Sequence, residues 1–295
     1  MTLPVSGPIS MSQVNTELLI SPSTTTITMN DSGVRFLTGT SAGTTDSMQQ
    51  LLGKSYVIAA NSGILTGSGS YTLPQTTGTT VKILAIGGGA GGGGGSGRTS
   101  YSGYFTGGGG GGSGGNAIYT LTVTPGTSNT ISYSCGSGGS AGTFRDGVYS
   151  SGSNGGSGGT TTVTFGSTIA QATGGSGGSV APNASGGAAG GASVGSQQIS
   201  PTAGGTATED ATTGGTGAKG YSISTTVGLS IGSILTYGSS GNGGGSQNSG
   251  QYSSSGTVYG AGGGGGGCSQ SDVYNYNNIF ASAGTAGAVF IWWGY

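Results

Sequence analysis

Residues 81–115 read VKILAIGGGAGGGGGSGRTSYSGYFTGGGGGGSGG, and the fold turns on how this stretch is read. A strand-like segment, Val81 to Ile86, opens into a glycine run. Residues 98–106, with three aromatics among them, interrupt it, and a second glycine run follows. The same alternation of run and aromatic loop recurs more loosely to the C-terminus. Gly supplies 73 of the 295 residues, against a usual share of roughly 7%. Each ordered glycine costs about 0.5–1 kcal/mol more backbone entropy than alanine. An ordered tract therefore needs a compensating interaction that side chains cannot supply. A polyproline-II-like helix has three residues per turn and no internal hydrogen bonds, so its amides point outward all round. Several such helices packed side by side can bond one another, provided nothing larger than hydrogen occupies the contacts.

Two other readings of glycine compete with this one. Collagen needs a strict Gly-X-Y period with abundant proline, whereas the period is absent and Pro numbers 7. A flexible Gly/Ser linker is the common meaning of polyglycine. Disordered chains, however, carry high net charge and few aromatics. Here 4% of residues are charged, the net charge is −1, and 7% are aromatic. Strand signals also sit between the runs: Ser70 to Leu73, Val81 to Ile86, Ala117 to Val123, Thr130 to Ser134, Thr160 to Phe165 and the closing Gly287 to Tyr295. The expected fold class is mainly β and irregular. It is a β-sandwich with polyglycine-II helices growing from its strand ends (residues 62–295), preceded by a small module of short helices and extended segments (residues 1–61). In the last strand, Trp292 should face inward and Trp293 outward, or the reverse.

Composition narrows the chemistry. Histidine is absent, which removes the usual general base, the Ser-His and Cys-His nucleophile pairs and the commonest zinc ligand. Six basic residues, thinly scattered, make no stripe for nucleic acid. No apolar run approaches the ~18 residues of a membrane span, and the N-terminus shows no secretion signal. Cys135 and Cys268 are read as two free thiols. The many G-x-G-x-x-G matches sit in no strand–turn–helix unit. Gly53-Lys54-Ser55 lacks the first glycine of a phosphate loop, because Met48 stands there. Glu209-Asp210 reads as a solvated turn. No catalytic residue, metal site or cofactor is expected, and paired carboxylates for glycan hydrolysis are missing. An ice-binding face needs flat arrays of regularly spaced Thr or Ala, and the spacing here reads as irregular.

The N-terminal segment carries an internal repeat. Ile9-Ser10-Met11-Ser12 is followed by Ile27-Thr28-Met29-Asn30 and by Asp46-Ser47-Met48-Gln49, so that Met11, Met29 and Met48 lie 18 and 19 residues apart. Each copy predicts an extended piece and then a short helix: Val14 to Leu19, Gly33 to Leu37 and Met48 to Leu52. Ser12 and Asn30 are the expected caps. Periods near 20 suggest stacked units, and so short a segment is expected to borrow its core from other chains or from the following domain. LPVSGPISMSQVNTEL, ITMNDSGVRFL and QQLLGKSYV resemble a short repeat at the N-termini of tailed-bacteriophage tail and virion proteins, over residues 3–57. That resemblance implies attachment to other virion proteins, with Ile9, Met11, Ile27, Met29, Arg35, Met48 and Leu51 as candidate contacts.

The rest of the chain, from about residue 64 to residue 295, is similar to the glycine-rich domain of phage tail and adhesin proteins. The likeness rests on YTLP, VKILAIGGGAGGGGG, IYTLTVTPGTSNTISYSCGSGG and GTAGAVFIWWGY. It implies layered polyglycine-II helices and tip loops that bind outer-surface proteins or glycans of a host. It also implies a place in the virion, and by analogy a homotrimer, with no nucleic acid and no membrane insertion. The loop aromatics supply candidates: Tyr101, Tyr104 and Phe105; Phe144, Arg145 and Tyr149; Tyr252 and Tyr259; Tyr274, Tyr276 and Phe280. Tyr and Arg among Ser, Gly and Asn is also the composition of antibody paratopes, where rigid rings offer contact area at low entropy cost. Against this stands the plainer reading that the rings cap the open ends of a glycine bundle. A structural tail or capsid decoration that binds no receptor is the alternative function.

Overall fold

The computed structural model describes residues 3–17, 26–29, 31, 34–35, 38, 47–52, 61–73, 80–95, 107–123, 129–143, 152–180, 185–197, 199–207, 214–223, 235–240, 258–266 and 281–293. Among the described residues, twelve strands make three sheets. The central sheet joins β1 (Asn61–Leu65), β12 (Ala288–Trp293), β3 (Thr80–Ile86) and β4 (Asn116–Thr122) in that order, all antiparallel. A five-stranded sheet orders β2 (Ser68–Leu73), β5 (Asn129–Ser134), β6 (Thr161–Phe165), β7 (Ser167–Ala172) and β8 (Ala192–Val194). A third sheet orders β10 (Leu235–Ser240), β9 (Lys219–Ile223) and β11 (Val258–Tyr259).

Alternation along the central strands feeds two cores. Val81, Ile83 and Ala85 of β3 and Val289, Ile291 and Trp293 of β12 pack with Leu73, Ile131, Val163 and Ile169 of the five-stranded sheet. Their neighbours Leu84, Ile86, Phe290 and Trp292 pack with Tyr221 and Leu235 of the three-stranded sheet. The sandwich expected from sequence thus carries a third layer. Both tryptophans are buried, Trp292 at 3% and Trp293 at 1% exposure. The inward-outward expectation fails because neither face of the central sheet meets solvent at that point. Near-continuous apolar runs are what a strand covered on both sides requires.

Most strands run directly into, or out of, a glycine-rich tract. A β-strand rises about 3.3 Å per residue and a polyproline-II helix about 3.1 Å, so the chain passes from one to the other with little change in extension. Ten tracts occur among the described residues, numbered here in chain order: 87–95, 107–115, 136–143, 152–160, 173–180, 185–191, 200–207, 214–218, 260–266 and 281–287. Their hydrogen bonds follow the three-fold screw. In tract 1, Gly87, Ala90 and Gly93 donate to tract 2; Gly88, Gly91 and Gly94 donate to tract 4; Gly89 and Gly92 donate to tract 10. Its carbonyls accept from tracts 3, 5 and 9. Tract 2 has the same completeness, donating to tracts 5, 7 and 9 and accepting from tracts 1, 6 and 8.

Six neighbours around each of two adjacent helices define a hexagonal patch. Its rows are 4-5-6, 3-1-2-7 and 10-9-8, and direct bonds join each tract to the next around the rim. Odd-numbered tracts run away from the sheets and even-numbered ones return. The packing tolerates no side chain at the contacts: a Cβ on Gly92 would overlap the carbonyl oxygen of Gly264, and one on Gly110 that of Thr216. Thr161 ties lattice to sandwich, its hydroxyl donating to Ile86 O at 2.6 Å and accepting from Gly136 N–H at 2.8 Å. Cys135, at the end of β5, is a free thiol whose Sγ lies 3.4 Å from Leu65 O. Burial pushes that thiol up from its ordinary pKa.

The N-terminal module has a core of its own, contrary to expectation. Leu3, Val14, Val34 and Leu51 are buried together, with Ile9, Met11, Ile27, Met29 and Met48 packed against them. All three repeat copies contribute, which is how so short a segment assembles an interior. Helix α1 spans Met11–Glu17, a turn earlier than expected, and the third copy forms a 3-10 turn, Met48–Leu51. The second copy is helical at Val34, Arg35 and Thr38, the rest of its expected helix lying outside the described residues. The cap of α1 is Ser10 and not Ser12, while Asn30 lies outside the described residues; the capping residues share one place in the repeat. They stand one residue before each methionine. Ser10 N–H donates to Gln13 Oε1 at 2.7 Å, Thr28 N–H to Asp31 Oδ2 at 2.9 Å, and Ser47 N–H to Gln50 Oε1 at 2.7 Å. The repeat is therefore a reciprocal cap of the form [ST]-Met-x-[QD].

Candidate functional site: the free end of the glycine lattice

The lattice has one end continuous with the sheets and one end free of them. Tracts 1, 3, 5, 7 and 9 reach the free end at Gly95, Thr143, Val180, Ala207 and Gly266, and the next tract in each case starts back from there at Gly107, Gly152, Ser185, Gly214 and Ala281. The segments 96–106, 144–151, 181–184, 208–213 and 267–280 are therefore flanked on both sides by tracts that end at the same end of one hydrogen-bonded lattice. The pairing fixes the anchors directly: Gly93 N–H bonds Gly109 O at 2.8 Å, and Gly266 N–H bonds Gly93 O at 2.9 Å. Ser153 and Thr143 bracket the third tract's exit, with Thr143 N–H donating to Ser153 Oγ at 2.9 Å.

This places most sequence-predicted site residues by their anchors. Tyr101, Tyr104, Phe105, Phe144, Arg145, Tyr149, Tyr274, Tyr276 and Phe280 lie outside the described residues, in segments anchored at the free end. Tyr252 also lies outside them, but its segment is anchored on β10 and β11, at the sheet end of the molecule. Tyr259 sits in β11, half-buried against the second core. It does not share an end with the others. Of the N-terminal candidates, Ile9, Met11, Ile27, Met29, Met48 and Leu51 come together in the module's core. Arg35 is half-buried on the second helical turn, its N–H donating to Asp31 O at 3.0 Å.

Two features escaped the reading of the sequence. The first is a local period of three in the rim tracts: Ser137, Ser140 and Thr143 are exposed on tract 3, and Asn154, Ser157 and Thr160 on tract 4. Aligning non-glycine residues at i, i+3, i+6 would have found it. The second is aromatic surface on the sheets. Tyr237 is 46% exposed, stacks on Tyr221 at 6.4 Å and donates its hydroxyl to Ser200 O at 2.6 Å. Lys219 Nζ stands 6.0 Å from its ring centre. Among the described residues no group of three His, Cys, Asp or Glu side chains is placed to hold a metal ion, and no helix is long and apolar enough to cross a membrane.

The glycine-rich domain family matches residues 64–294. The chain belongs to that family. The match opens inside β1 and closes just past β12, so this glycine-rich domain comprises all three sheets and all ten tracts. The N-terminal module lies outside it. A comparison with curated proteins gives no match.

Proposed function

We propose that this chain is a non-enzymatic virion protein of a tailed bacteriophage, a tail-fibre or adhesin-like component that recognises the host cell surface. In this reading the glycine-rich domain is a stiff frame. The aromatic segments at its free end make the receptor contacts, and the N-terminal module attaches the protein to other virion proteins as part of a homo-oligomer. The observation that carries the reading is the common anchoring of five connecting segments on the free end of the lattice. Segments held on a rigid body can change sequence without disturbing the frame. Several weak contacts presented at fixed spacing also gain avidity on a repetitive surface.

The test is an exchange. Residues 98–106 and 269–280 are replaced by those of a relative that infects another host, and adsorption is measured on both hosts. A change of host range is the expected outcome. Unchanged adsorption by a folded, virion-incorporated protein overturns receptor binding and favours a structural decoration built on the same frame.

A further inference from the structure

We propose that the side chains on the lattice's outward rows act as stops, which end the lattice at the molecular surface and keep the frames of neighbouring copies from fusing side by side. A polyglycine lattice has no reason of its own to end. Each helix offers amides in three directions, and a rim tract uses only those that face its neighbours. On the row formed by tracts 4, 5 and 6, the lateral and inward groups are paired. Gly155 N–H bonds Gly178 O at 2.9 Å, and Gly178 N–H bonds Gly91 O at 3.0 Å. The N–H groups of Ser157 and Gly177 have no backbone partner among the described residues. They are the groups that a further tract would bond. Such a row is the counterpart of an open sheet edge, a template for another chain.

The residue pattern is what blocks it. In the enclosed tracts 1 and 2, every residue is glycine except Ala90 and Ser113. Among the described residues, no exposed position of any tract is glycine; each is Ser, Thr, Asn or Ala. On the row of tracts 4, 5 and 6, the exposed Ser157, Ser176 and Ala188 stand level. Gly158 N–H bonds Gly175 O and Ser176 N–H bonds Ala188 O, each at 2.9 Å, which sets that alignment. Asn154 and Ser185 repeat it one turn nearer the free end. A Cβ is the one feature these four residue types share, and Ala188 carries nothing else. Within the lattice a Cβ is what the contacts exclude: one on Gly177 would overlap Gly155 O, and one on Gly187 would overlap Ser176 O. The same atom on an outward row bars a further tract by the same overlap, because close-packed backbone cannot give way. A side chain in place of glycine also lowers the entropy of the unfolded chain. That effect alone would stabilise the fold without bearing on association, so the two roles separate by experiment.

The experiment uses the full chain with Ser157→Gly, Ser176→Gly and Ala188→Gly combined. Ser157→Ala with Ser176→Ala is the control, since it removes the hydroxyls and keeps every Cβ. Sedimentation velocity and hydrogen exchange are read over a wide range of protein concentration. The glycine variant is expected to associate beyond the native protein as concentration rises. Exchange at position 157 and at Gly177 should slow about 10-fold in step with that association. The alanine control should match the native protein in mass and in exchange at both positions. A lower melting temperature with no added association would mean that the side chains act only through the unfolded chain, and overturns the proposal. So does association of the alanine control, or association of the glycine variant that leaves those two amides exchanging at the native rate. If the triple variant does not fold, Ser176→Gly with Ala188→Gly, which opens two adjacent tracts of the same row, decides by the same readings.

Discussion

At the scale of single residues, the lattice makes one demand, and it differs sharply between positions of the same screw. Gly110 lies in an enclosed tract where an added Cβ would overlap Thr216 O, and the backbone on the other side cannot retreat because it is bonded in turn. Gly110→Ala should therefore cost roughly 2–3 kcal/mol, as overpacking of a close-packed interior does. Ser157→Ala, on the exposed row of tract 4, should stay within about 0.5 kcal/mol. Equal effects in urea unfolding would mean that the tracts are not close-packed. Tyr221 supplies a second residue-level test. It is fully buried and donates to Gly114 O at 3.0 Å, and burial pushes its phenol above the ordinary value, hydrogen bonds from the Asn116 and Ser113 side chains only partly opposing this. The folded protein thus prefers the neutral phenol. Its contribution is complete below the unfolded-state pKa of about 10 and declines as pH rises past that value. Tyr221→Phe should cost about 1–2 kcal/mol at pH 7, and the gap from the native protein should narrow at pH 10.5. A gap that widens instead would contradict the burial argument.

At the scale of elements, capping explains why three segments of four to seven residues fold at all, since helices this short are unstable alone. Ser10→Ala should raise hydrogen exchange across Met11–Glu17 about 5-fold, the equivalent of ~1 kcal/mol for a lost cap. Ser12→Ala should leave exchange unchanged, and the reverse result would restore the cap to Ser12. The contrast marks what was legible in the sequence. Strands that alternate or run apolar between turn residues, β3, β4, β5 and β12 above all, were readable to within a residue or two, because burial imposes their pattern directly. The polyglycine helices followed from an entropy cost that only backbone bonding could offset. The caps were missed because Ser12 and Asn30 are equally good capping residues by type, and only the partner three residues on, Gln13, Asp31 or Gln50, distinguishes the true site. The strands β9 and β10, and with them the third sheet, were missed because KGYSI and LTYGSS are short, mostly glycine and polar residues, and hold only two large apolar side chains each. That omission made the burial of both tryptophans unforeseeable. The period of three was hidden because only rim tracts obey it, the enclosed ones being glycine almost throughout.

At the scale of the whole molecule, the lattice and the sandwich form one cooperative unit, for a reason of connectivity. Tracts 1 and 2 leave β3 and enter β4, which are adjacent in the central sheet, and each is bonded to six other tracts. Neither can open unless the lattice around it or the central sheet behind it opens as well. The slowest-exchanging amides should accordingly be Gly87 to Gly94, Gly108 to Gly115 and the paired amides of β3, with protection approaching the global unfolding free energy. Amides of the rim rows at Ser137, Ser140, Asn154 and Ser157 should exchange far sooner. The N-terminal module is bound by no such constraint, because its buried residues form a cluster of their own. Deleting residues 1–60 should leave the main thermal transition within a few degrees of its original midpoint and remove only exchange protection local to that module. Native-state exchange read by mass spectrometry checks both statements. Should the glycine tracts exchange as fast as the rim, or the deletion collapse the main transition, the frame could not hold its connecting segments at fixed positions, and a binding surface built on that rigidity would lose its physical basis.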